Sequence, residues 1–148
     1  MSDINIDDFL KDAAKVLTVL YTRFPKRHTV FVEDICGPQE IDEFGMPNER
    51  HISCFSTLLW LGEENYLRFE DTIRQEAIDQ AVLTGHCFTL LCQATDRFTN
   101  TPESESLPES IRLEQSTNVH NIRNALKSRS SAEIRASMLR LMDQIGSR

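Results

Sequence analysis

The stretch from Asn48 to Leu91, NERHISCFSTLLWLGEENYLRFEDTIRQEAIDQAVLTGHCFTLL, decides the fold. Asn48 suits a helix N-cap, because its side-chain oxygen can accept from a first-turn N–H. The helix it opens runs over about 49–62, with Ile52, Phe55, Leu58 and Leu59 toward a core and Gly62 as its end. Arg50, Ser53, Thr57 and Trp60 then fall on the opposite, outward side. Tyr66 to Phe69 alternates as a strand, with Leu67 and Phe69 on one face, and is expected to pair with 29–32. Thr72 with Gln75 has the spacing of a capping box for a helix over about 73–83. Thr84 caps a last helix to about Gln93.

Upstream, Ile6, Leu10, Ala13, Leu17, Leu20, Tyr21 and Phe24 recur at helical spacing, so 6–24 reads as an amphipathic helix stopped by Pro25. Asn5 is its expected N-cap, with Asp7 and Asp8 at the positive end of the helix dipole. Asp12 and Lys15 are assigned to the solvent side. Thr29 to Val32 is short and β-prone, and a brief helix from Glu33 to Cys36 ends at Gly37-Pro38. Residues 37–48 form a turn-rich loop.

Downstream, residues 96–106 make a polar linker between a domain over 1–95 and a helical hairpin over 107–148. Ser106 and Glu109 resemble a capping box, with Pro108 in the first turn, for a helix to about Leu126 striped by Ile111, Val119, Ile122 and Leu126. Ser130 and Glu133 form another, and the final helix carries Ile134, Met138, Leu141, Met142 and Ile145 along one face. Two amphipathic helices are too small to stand alone, so the stripes must be covered, on the same domain or on a second copy. The adaptable Met138 and Met142 make a homodimer contact through this face the leading expectation.

The order of elements over residues 6–93, together with Leu83-Thr84 and the spaced Leu91, resembles the winged-helix (helix-turn-helix) superfamily. The family's glycine after Leu-Thr is replaced, since Cys87 stands there. The resemblance implies a mainly α fold with a small β ribbon, and a domain that binds DNA or protein. It also implies a two-stranded wing with a basic tip. Here Phe69 runs through Glu70-Asp71 into the expected next helix, which leaves little room for a wing and makes its place acidic.

The charge opposes a strong DNA binder. The 148-residue chain has a net charge of −7, and residues 1–100 hold 17 Asp and Glu against 9 Lys and Arg. Such a field hinders approach to phosphates, although a local basic patch can still contact them. Asn48, Arg50, Ser53, Thr57 and Trp60 form the candidate partner- or DNA-binding face, and Lys26, Arg27, Arg68 and Arg74 the candidate phosphate contacts. An outward Trp60 suits a protein interface better than a major groove.

Cys36, Cys54, Cys87 and Cys92 are scattered through apolar segments without a CxxC pair, so they read as buried, reduced thiols rather than a zinc set. No phosphate-binding loop, dinucleotide fingerprint or nucleophile elbow occurs, so neither catalysis nor a cofactor is expected. No apolar run approaches the length of a membrane span, and the acidic N-terminus is unlike a secretory signal, which points to a cytoplasmic protein. Two functions fit: a regulatory or adaptor module binding a protein partner, and a DNA-binding transcriptional regulator using helix 49–62.

Overall fold

Helix α1 (Ile4–Arg23) is the central beam of the molecule. The computed structural model describes residues 3–38, 48–94 and 116–146. Leu10, Ala13, Ala14, Val16, Leu17 and Leu20 of α1 are all buried, and the strands over 28–31 and 77–83 and the helices over 32–36, 49–63 and 118–146 pack around them. Asp3, not Asn5, stands at the N-cap and accepts from the Ile6 and Asp7 amides with its carbonyl oxygen.

Strand β1 (His28–Phe31) and the short helix α2 (Val32–Cys36) follow, and then α3 (Glu49–Glu63). Asn48 caps α3 as expected, its Oδ1 accepting from the Arg50 amide at 2.8 Å. Gly62 does not end the helix. It lies inside the last turn and makes room for the Phe69 ring, which a Cβ there would meet at 2.7 Å.

The expected helix over 73–83 is instead a hairpin. Strand β2 (Leu67–Arg68) is followed by β3 (Asp71–Ile73) and then β4 (Ala77–Leu83), with a tight turn between the last two. Arg74 and Gln75 both have positive φ, 49° and 65°, and the Glu76 amide donates to the Ile73 carbonyl at 2.7 Å. Two left-handed central residues make a turn whose twist matches that of the strands it joins. Strand β4 is central: it pairs antiparallel with β1 on one side and with β2 and β3 on the other. The expected pairing of 66–69 with 29–32 is therefore replaced, because β4 lies between them.

Helix α4 (Gly85–Cys92) is capped by Thr84, whose hydroxyl accepts from the Cys87 amide. Helices α5 (Asn118–Ser128) and α6 (Ser131–Gly146) form a hairpin. Residues 95–115, which include the expected linker, Ser106, Pro108, Glu109 and Ile111, lie outside the described residues. The Ser130 box holds through the Ser130 hydroxyl, which accepts from the Glu133 amide at 3.3 Å, while the Glu133 carboxylate accepts from Ser128.

The residues expected at a dimer contact pack within the chain. Ile134, Met138 and Leu141 are buried in the same hydrophobic cluster as Leu10 and Leu17, and Met142 and Ile145 pack against its edge. The stripe is covered in cis because α1 and α4 present apolar faces to it. Polar contacts tie it in place: Arg135 pairs with Asp7 at 3.7 Å, and buried Asn118 donates to the Gln144 side-chain oxygen at 2.8 Å. No helix among the described residues is long and apolar enough to cross a membrane.

Candidate functional site

The outward face expected for α3 is rotated by about one residue, roughly 100° on a helix of 3.6 residues per turn. His51, Cys54, Thr57, Leu58 and Leu61 point inward, while Ile52 is 48% exposed and Ser53 faces solvent. The rotation is tolerated because each buried polar group has a partner. Thr57 donates to the Ser53 carbonyl at 3.0 Å, and the His51 ring bonds the Gly37 carbonyl oxygen at 2.7 Å. Thr57 is thus a core residue and not part of the outward face.

Trp60 is also turned in. Its ring meets Phe9 edge-on at 5.1 Å between centroids and stacks on Tyr66 at 5.6 Å. It is half-buried against the core, which leaves much less of it for a partner than an outward Trp would offer.

Arg50 fixes how α3 sits on α1. Its guanidinium donates two bonds of 2.6 Å to the Asp12 carboxylate, one to each oxygen, and lies 3.6 Å from Asp8. The Asp12 side chain is only 2% exposed, so its assignment to the solvent side is reversed. A carboxylate can be buried there because the planar fork of arginine matches both of its oxygens. The Asp12 hydrogen bonds raise the Arg50 pKa, against an opposing effect of burial, so the guanidinium is permanently charged. Lys15 is likewise engaged, its ammonium donating to the Ile35 carbonyl at the end of α2 at 3.1 Å.

Beside this clamp, burial raises the pKa values of both the Cys36 and the Cys54 thiol. Burial also pushes the Cys87 thiol up to about 12. Thiols held protonated in this way are poor nucleophiles and poor metal ligands. Cys92 departs from the expected burial: it is exposed, with its sulfur 3.8 Å from the Tyr21 hydroxyl. Among the described residues no three His, Cys, Asp or Glu side chains gather in a way that could hold a metal ion.

The four candidate phosphate contacts do not act alike. Arg27 forms an ion pair with Glu70. Lys26, Arg68 and Arg74 are exposed, and Arg74 stands at the tip of the β3–β4 turn. The same region carries Asp71, Glu76 and Asp79. His28 loses proton affinity through burial and the neighbouring Arg23 charge, with Asp34 opposing.

One surface was not visible in the sequence reading. Phe31, Ala77 and Ile73 lie directly opposite one another across β1, β4 and β3, so they share a sheet face. Ala77 is completely buried yet stands outside the main hydrophobic cluster, as expected for a small residue beneath two larger ones on the outer face. Phe31 remains 43% exposed and Ile73 37%. The strand assignment of 71–83 is the signal needed to find this row, and the capping-box reading hid it.

No protein-family model matches the chain, and no curated protein or solved structure shows significant similarity to it.

Proposed function

We propose that this chain is a non-enzymatic regulatory or adaptor module that binds a protein partner through a winged-helix-like domain. The order α1, β1, α2, α3 and then a strand hairpin supports the winged-helix part, with β4 as the central strand and β2 and β3 as one interrupted strand beside it. The hairpin supplies the strand pair that a wing requires.

The observation that carries protein over DNA is the closure of Arg50 by Asp8 and Asp12. Arg50 is the sole Lys or Arg of α3. A recognition helix in the major groove needs donors aimed at base edges and cations near phosphates. A guanidinium already held by one carboxylate, with a second close by, serves neither purpose. The hairpin surrounds the one cation at its tip, Arg74, with the carboxylates of Asp71, Glu76 and Asp79. What α3 and the sheet present instead is apolar: Ile52, Phe31 and Ile73.

A DNA-binding regulator is the second reading, favoured by exposed Lys26, Arg68 and Arg74. Fluorescence anisotropy with labelled genomic fragments at about 50 mM and about 200 mM salt separates the two, because phosphate-driven affinity collapses over that range. The protein-binding reading expects no binding at the lower salt. Binding that falls steeply with salt and enriches particular fragments would overturn it.

A further inference from the structure

The outer face of the sheet has two adjacent rows. The first is the apolar row Phe31–Ala77–Ile73. In the second, Asp71 lies directly opposite Asp79, and the Thr29 hydroxyl donates to the Asp79 carboxylate at 2.8 Å. Two residues of strand separate the rows, about 7 Å, and the apolar row spans three strands, about 10 Å. Like charges directly opposite each other on a sheet are unfavourable, so the Asp71–Asp79 pair costs the free chain stability. The six residues of the two rows include two carboxylates and no cation.

We propose that these two rows form the surface on which the chain binds its partner. The occupant we infer is a protein segment presenting apolar side chains beside Lys or Arg. The proposal rests on the protein-binding reading above and supplies its surface and the chemistry of the partner. Apolar side chains of the segment cover Phe31 and Ile73. Its cations sit between Asp71 and Asp79 and relieve their repulsion. A second copy of this chain is a poor occupant, because it would bring the same carboxylates against themselves. So is the acidic stretch 39–47, which holds Glu40, Asp42 and Glu43 and no Lys or Arg.

A random peptide library displayed on phage, selected on the full chain, tests this. Enriched peptides are expected to combine aliphatic or aromatic residues with Lys or Arg and to lack Asp and Glu. The strongest selected peptide, measured by fluorescence anisotropy, should bind Phe31→Ala/Ile73→Ala at least about tenfold more weakly, the scale of interface anchors. Asp71→Asn should weaken binding several-fold and flatten its dependence on salt, as loss of an electrostatic contact does. This side chain is exposed and its asparagine replacement keeps the oxygen that accepts from the Thr72 amide, and removing one of two like charges relieves repulsion, so weaker binding by the variant does not come from unfolding. Thermal melting within a few degrees of wild type is the control for the apolar variants. Enrichment without regard to charge, no enrichment, or full binding by the Phe31→Ala/Ile73→Ala variant would overturn the proposal. Peptide binding that persists in that variant would leave the protein-binding reading standing and move the surface. Salt-steep DNA binding by the unmodified chain would remove the reading itself.

Discussion

Removing Arg50 leaves the Asp12 carboxylate buried without its partner. Breaking one side of a buried ion pair costs about 3 kcal/mol, so Arg50→Ala should lower the urea midpoint sharply. Arg50→Lys should recover only part of this, since an ammonium cannot engage both carboxylate oxygens. Replacing both partners with Asp12→Leu and Arg50→Met should restore much of the stability, and a double-mutant cycle would measure the coupling. Equal stability of Arg50→Ala and wild type would show that the clamp contributes nothing. The buried thiols make a second prediction. Cys36, Cys54 and Cys87 ionise at higher pH in the folded chain than the ordinary 9.0, and burial pushes the Tyr66 phenol up to about 12. The unfolded chain therefore loses these protons first. The stability they contribute is fully present below pH 9 and is lost as pH rises toward 12. Chemical denaturation at pH 8 and pH 10.5 should show lower stability at the higher pH, and Cys87→Ala should reduce the difference. At this scale the sequence was only partly legible. Asn48 and Thr84 were readable as caps because capping depends on neighbours in the chain. Asp12 was misassigned because its partner Arg50 lies 38 residues away and nothing local announces it.

The β3–β4 hairpin holds two non-glycine residues, Arg74 and Gln75, in left-handed conformation. Each such residue costs about 1 kcal/mol relative to glycine, and turns of this type favour Asn-Gly. Arg74→Asn with Gln75→Gly should raise stability by about 1–2 kcal/mol by chemical denaturation. A loss of stability would refute the turn assignment. The hairpin was mistaken for a helix for a specific reason. Gln80 has φ of 53°, and the β1–β4 register shifts opposite it, with His28 facing Ala81 and Val30 facing Ile78. This bulge inserts one residue, so inward positions fall at Ile78 and Ala81 instead of every second residue. The helix reading rested on the local Thr72–Gln75 capping-box pattern, and a spacing of three does not contradict a helix. At α6 the periodicity was legible but the destination of the stripe was not. Met138→Ala should cost about 2–5 kcal/mol as a buried cavity, with no change in mass by light scattering. A halved mass with unchanged stability would return Met138 to an intermolecular contact.

At the scale of the molecule, the net charge of −7 was legible in the sequence. The mainly helical character and the short ribbon were also visible, since most helices carry strong periodicity. The outer sheet face was not, because it exists only where β1, β4 and β3 meet, and these strands are distant or disguised in the sequence. Helix α3 has no free cation for nucleic acid, because Asp8 and Asp12 hold Arg50. The most direct measurement is a titration of short genomic DNA fragments into ¹⁵N-labelled protein at about 50 mM salt, following the α3 amides and the Arg50 guanidinium by NMR. The Arg50 and Ser53 signals are expected not to move. Shifts at those positions that disappear at about 200 mM salt would contradict it, because they would show Arg50 leaving Asp12 for phosphate.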